Sequence, residues 1–175
     1  MTDPVVIVDY DPHWAEIFAE EKARILEAID GPNVAVVHVG STAVPGLAAK
    51  PLIDIMVVVP DRSTGEDAIA RLNALGYDYR GELGIPGRLY FAQHRPYRCH
   101  LHMYPRGHSE IARLLYFRDY LRTNPNAAHE YAKLKRELAE QFRNDRGAYT
   151  EAKSDFIKSI EARARLHNGV SENSD

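Results

Sequence analysis

A chain of 175 residues, 45% hydrophobic and 27% charged, can bury one core, and nothing in its composition divides it, so a single domain over residues 1–166 is expected. A formal charge of −3 argues against a nucleic-acid partner, and no apolar run approaches the ~20 residues of a membrane span. The single cysteine, Cys99, excludes an internal disulfide, and Met1–Pro4 lacks a basic-then-apolar leader, so a cytoplasmic protein is expected.

Val5–Val8 is a short apolar run that reads as an edge strand. Asp11 then suits an N-cap with Pro12 at the first helical position, and Trp14, Ile17, Phe18, Ile25 and Ile29 make a helical stripe that stops at Gly31-Pro32. Val34–Val39 and Leu52–Val59 read as buried strands. Ser63-Thr64 followed by Glu66-Asp67 is a capping-box pattern, opening a helix through Ile69 and Leu72 that ends at Gly76. Tyr77–Arg80 is a short strand candidate, and Glu82–Gly87, with three turn formers, is a loop. Arg88–His94 and Arg98–Tyr104 form an antiparallel pair joined through Arg95-Pro96.

The last third is helical. Ser109 caps a helix with Ile111, Leu114, Leu115 and Leu121, and Asn124-Pro125 starts a second with Tyr131, Leu134, Leu138 and Phe142 at helical spacing. Arg146-Gly147 reads as a break before a third helix with Tyr149, Phe156, Ile157 and Ile160. Residues 167–175 are polar without periodicity and are expected to form a disordered tail. The order of elements predicts an α+β fold, a mixed sheet with flanking helices and a C-terminal helical segment.

Chemistry concentrates in three places. Gly40-Ser41-Thr42 follows a strand, where glycine permits close backbone approach and the hydroxyls add donors for a phosphate; an ordinary turn gives the same pattern. Neither a P-loop nor a Gly-x-Gly-x-x-Gly spacing occurs. Asp54 stands in Leu-Ile-Asp-Ile-Met-Val-Val-Val, where a carboxylate is costly unless hydrogen-bonded, paired or metal-bound. Period-two alternation puts Met56 on the face of Asp54, and a thioether is no hard ligand where a two-metal site wants a second carboxylate.

The third place is His100-Leu-His102, on one strand face with Arg98 and Tyr104, the imidazoles roughly 6.5–7 Å apart at Cα. With Asp54 they compose a two-histidine, one-carboxylate set suited to Mn, Fe or Zn; the alternatives are phosphate contact and acid–base work. His38 stands one strand away, beside Gly40. Lys50 can reach phosphate or simply be solvated. Eight arginines against three carboxylates between Arg80 and Arg122 form either solvated faces or a field for an anion. Arg118 and Arg122 share a helix face; Lys133, Lys135 and Lys153 read as surface residues, and Cys99 as a buried hydrophobe.

These residues resemble the GrpB (UPF0157) family, related to the nucleotidyltransferase superfamily. The resemblance is carried by Tyr10-Asp11-Pro12-His13-Trp14, His38–Pro51 with Ile53-Asp54-Ile55, His100-Leu-His102, Phe117–Arg122, Tyr131–Lys135 and Tyr149–Ile157, and it covers about residues 5 to 160. It implies a nucleotidyltransferase-like fold, with Gly40-Ser41 at a triphosphate and Asp54 as first catalytic carboxylate. Met56 then departs from the second carboxylate, and His100 and His102 stand where a third would be. A domain of this kind also occurs fused to dephospho-CoA kinase, which points toward nucleotide or coenzyme A metabolism.

Two functions follow as expectations. One is a nucleotidyltransferase-like, metal-dependent enzyme: Asp54, His100 and His102 hold one divalent cation (Mg, Mn or Zn), and His38, Gly40, Ser41, Thr42, Lys50 and Arg118 hold a nucleotide or other phosphate-containing small molecule. The other, which Met56 favours, is a nucleotide- or coenzyme-binding or regulatory domain that lost the chemistry. A Zn- or Mn-dependent hydrolase built on His100 and His102 is a third.

Overall fold

The computed structural model describes residues 4–29 and 31–167. Five strands form one sheet in the order β1-β2-β5-β4-β3: β1 (Ala35–Val39), β2 (Ile53–Val59), β3 (Asp78–Tyr79), β4 (Leu89–Gln93) and β5 (Cys99–Pro105). β2 and β5 run parallel at the centre and every other pairing is antiparallel. The sheet is mixed because the β2-to-β5 connection is a long crossover, which also supplies β3 and β4.

β2 is covered on both faces over most of its length, hence its near-continuous apolar sequence, whereas β5 alternates and leaves His100 and His102 only partly buried. Ile53, Ile55, Val57, Leu101, Met103 and Phe91 meet Trp14 and Ile25 of α1 (His13–Ala28) and Leu72 of α3 (Ile69–Ala74). Gly65 of α2 (Arg62–Asp67) lets that helix lie close, since a Cβ there would come within 2.7 Å of Leu89 Cδ1. The opposite face carries Asp54, Met56, His100 and His102. Beside it stand α4 (Ser109–Thr123), α5 (Pro125–Gln141), α6 (Arg146–Ala152) and α7 (Ser154–His167). Leu121, Tyr131 and Ile160 from these helices pack on Val44 and Leu47 of the β1–β2 loop.

Several local expectations need correction. Val5–Val8 makes one isolated bridge, Val8 to Ala49, because Val5 packs with Leu138 and Tyr149 of the helical lobe and its N–H donates to Arg143 O. Asp61, not Ser63, caps α2 by accepting the Thr64 N–H at 2.8 Å, and the helix expected through Leu72 is two short ones. His108 rather than Ser109 precedes α4, its Nδ1 accepting the Glu110 N–H. Arg146-Gly147 begins a helix instead of breaking one, since Asp145 accepts the Ala148 N–H. His167, assigned to the tail, still belongs to α7; the rest of that expected tail, 168–175, lies outside the described residues. No described helix is long and apolar enough to cross a membrane.

His38 pairs with Ile55 and shares its face, away from Asp54. Its ring stacks on Phe18 of α1 at 4.7 Å, and Nε2 bonds Thr42 Oγ1 at 3.0 Å. Burial lowers its pKa to about 4. The unfolded chain therefore takes up the proton first, so the contribution of His38 to stability is whole above its ordinary value of 6.5 and lost as pH falls through about 4. Unfolding titrations across this window should show an acid loss of about 3 kcal/mol from this group. His38→Phe should flatten that slope, and an unchanged slope would contradict the assignment.

Candidate functional site

The sheet face, the β1–β2 loop and the helical lobe enclose a cavity of 290 Å³ lined on the sheet side by Gly40, Ser41, Thr42, Asp54, His100 and His102. Asp54 lies across the parallel pair from His100, and His102 is diagonal to it, opposite Met56. Asp54 Oδ1 is 3.6 Å from His100 Nδ1 and 3.4 Å from His102 Nε2. Burial works against the carboxylate's charge, but His100 and then His102 outweigh it and hold the Asp54 pKa well below the usual carboxylate range.

The Gly40 loop is built around this carboxylate. Gly40 adopts φ 73° and ψ −169°, and a Cβ there would lie 2.7 Å from Asp54 Oδ2. The single turn Ser41–Ala43 that comes next begins its own hydrogen bonds at Ala43 and Val44, leaving the Ser41 and Thr42 N–H groups outside them.

The helical lobe contributes cations. Lys135 of α5 is 2% exposed, and Nζ donates to Ser41 Oγ at 3.1 Å and to Ala48 O while lying over the Tyr131 ring. Among the described residues no carboxylate pairs with it. Burial, then the charge of Lys153, brings its pKa down to about 7. Lys153 is lowered to about 8 by burial and then by Lys50, and these two lysines both contact the Tyr149 ring. Three ammonium groups thus line one cavity together with Asp54 and with Glu161, which Arg113 already binds.

Of the expected site residues, Asp54, His100, His102, Gly40, Ser41, Thr42 and Lys50 come together. His38 and Arg118 do not. His38 faces α1, and Arg118 donates to the His38 carbonyl and pairs with Asp119, so it fastens α4 to β1 from outside the cavity. Arg122 does likewise at Ala43 O. Arg88, Arg113, Arg118 and Arg122 are spent on internal contacts, and most of the cations lining the cavity are lysines instead. Lys135 and Lys153, expected at the surface, each lie four residues after an aromatic, Tyr131 and Tyr149, Lys135 on the buried side of α5 and Lys153 at the C-cap of α6. That spacing is the signal by which the sequence could have shown them.

The spacing of Asp54, His100 and His102 suits a cation: one donor atom from each lies within 4.8 Å of the others, and bonds of about 2.0–2.2 Å could bridge them. The hydrogen bonds of His102 do not. Its Nδ1 lies 3.2 Å from Arg88 Nη1, and a guanidinium has donors and no acceptor. Nδ1 therefore accepts, and the ring's proton sits on Nε2, the atom turned to Asp54. A metal-bound imidazole needs the reverse, a bare nitrogen toward the metal and an N–H on the far side. By distance all three residues can serve a cation; the Arg88 contact sets His102 apart from Asp54 and His100.

The family model described as GrpB protein matches residues 4–163. The UPF0157 protein YqkA of Bacillus subtilis is 43% identical over 163 residues, covering 92% of this chain but only 47% of that protein, so the chain spans about half of that relative. The crystal structure of the conserved protein GrpB from Enterococcus faecalis is 37% identical, with a TM-score of 0.87 over 93% of this chain and 99% of that one. A Cid1 poly(U) polymerase structure with Mg and 3′-dATP bound matches at a TM-score of 0.57 and 14% identity, covering 83% of this chain and 49% of that one. This last likeness shows the nucleotidyltransferase-like fold.

Gly40→Ala should cost about 1–3 kcal/mol through its strained backbone and push the Asp54 carboxylate aside. Chemical unfolding checks the first effect, and NMR shifts of the His100 and His102 rings check the second. Neutral behaviour in both would show that the loop has room to spare.

Proposed function

The chain belongs to the GrpB family, and from that membership and the cleft we propose that it binds a phosphate-bearing small molecule, with nucleotides as the leading class. The buried ammonium of Lys135 carries this reading. A desolvated cation with neutral partners is costly to keep, and an oxyanion against Ser41, Lys135, Lys50 and Lys153 would supply the missing charge. The Cid1 structures support the choice of nucleotide, since polymerases of this fold are seen there with MgATP, MgGTP and a UTP analogue.

In this reading the lysines and the Gly40 loop hold the phosphates and His102 donates its Nε2–H to an oxygen acceptor. Asp54 with His100 would hold a divalent cation, which supplies charge neutralisation for the phosphates when bound. A second reading, a binding or regulatory domain without transfer chemistry, is favoured by Met56. Its side chain is 0% exposed, packed with Val39 and Tyr104, and fills the place where a second carboxylate would hold another cation.

Calorimetry with nucleoside triphosphates, tripolyphosphate and coenzyme A precursors, with and without Mg²⁺, tests the binding. Lys135→Met should weaken the best ligand about tenfold or more, the cost of losing a charged hydrogen bond; unchanged affinity overturns the reading. Product formation from the bound ligand separates the enzyme from the binding domain.

Lys135 and Lys153 are cationic below about 7 and 8, so affinity should fall as pH rises through that range. The slope should flatten in Lys135→Met, which separates the protein's titration from the ligand's own.

A further inference from the structure

Arg88 is 6% exposed, and each nitrogen of its guanidinium has an acceptor. Nε donates to Glu82 O at 3.0 Å, Nη2 to Leu83 O at 2.7 Å and Nη1 to His102 Nδ1 at 3.2 Å, and the group lies over the Tyr90 ring at 4.9 Å. The loop before it is bent to present those two carbonyls: Gly81, Leu83, Gly84 and Gly87 all have positive φ. Glu82 fastens the loop further by accepting the Gly87 N–H and pairing with Arg62. Tyr90 also packs edge-on against both His100 and His102. Neither the guanidinium nor the imidazole it faces is free to turn.

We infer that Arg88 assigns the proton of His102 and so removes this imidazole from any metal shell, making the cleft selective for an oxyanion over a transition metal. The inference deepens the reading of this cleft given above, but it concerns proton placement alone. With Nδ1 accepting from Arg88, Nε2 can only donate, here toward Asp54 at 3.4 Å and, with ligand present, toward a phosphoryl oxygen. For His102 to bind a soft or borderline cation, its proton would have to move to Nδ1 and meet the N–H of a guanidinium that never gives up its own proton. Asp54 and His100 remain, a pair too small for the three protein ligands that zinc sites take, while a hard cation would need only the Asp54 carboxylate, with water and phosphate completing its shell. Arg88 is thus a positioning residue acting through His102.

The test needs no nucleotide, so it can fail while ligand binding stands, and the reverse. In metal-free wild-type protein with ¹⁵N-labelled histidine, at a pH well above the imidazole range, long-range ¹H–¹⁵N spectra read the tautomer directly. His102→Gln identifies the signal among the eight histidines. The Nε2–H form is expected; an Nδ1–H form overturns the inference, and this arm does not depend on any variant of Arg88 folding.

Titration with Zn²⁺ or Co²⁺ alone gives the second arm. His102→Gln should leave affinity unchanged within error, whereas His100→Gln should lower it. Arg88→Met, checked for folding by thermal melting, should raise it about tenfold or more, the usual scale of outer hydrogen bonds on metal sites. That gain should vanish when His102→Gln is added. A tenfold loss in His102→Gln alone, or no gain in a folded Arg88→Met, overturns the inference.

Discussion

The charge of Asp54 governs the rest of this molecule. It stands on a central strand whose flanking residues, Ile53 and Ile55, are buried in the main core, so the backbone holds it half-buried at the cleft. Its position is tolerable because the parallel neighbour brings His100 alongside and His102 within reach. The β1–β2 loop must cross directly over the carboxylate, and residue 40 has no space for a Cβ. One ionised group thereby dictates a glycine in the loop and two histidines on the next strand.

The opposite wall answers that charge from a distance. Lys50, Lys135 and Lys153 are drawn toward the cleft by the helical lobe, and they repel one another. Such an arrangement stores unfavourable electrostatics that a multivalent anion between the walls would relieve. Met56 limits the chemistry open to a bound ligand. Its sulfur belongs to a small apolar cluster, so the two central strands offer one carboxylate where two-metal chemistry needs more.

Alternation in β2 and β5 was legible from the chain: it placed Asp54 with Met56, and His100 with His102, independently of any tertiary contact. It also suggested one metal set, because spacing along a strand shows which side chains share a face and not which atom of an imidazole bears the proton. Arg88 decides that, and it lies in sequence among eight arginines that look alike. His38 misled for a related reason. Adjacent in sequence to the Gly40 loop, it alternates onto the α1 face, where Phe18 covers it. Lys135 was readable only by treating a lysine on an apolar stripe as buried, against the strong prior that lysines are solvated.

By itself the sequence determined the order of strands and helices, the single carboxylate in an apolar strand, the missing second one at Met56 and the kinship with a nucleotidyltransferase-like fold. The first three are local properties, set by period, turn formers and residue type; the kinship rests on resemblance to a family. Tertiary structure alone decided which cations face Asp54, which arginines are consumed in holding loops, and on which nitrogen His102 keeps its proton. Each of those depends on contacts between residues far apart in the chain, Lys135 with Ser41 or Arg118 with the His38 carbonyl, and the energy of a buried charge is fixed by such neighbours rather than by its own position in sequence.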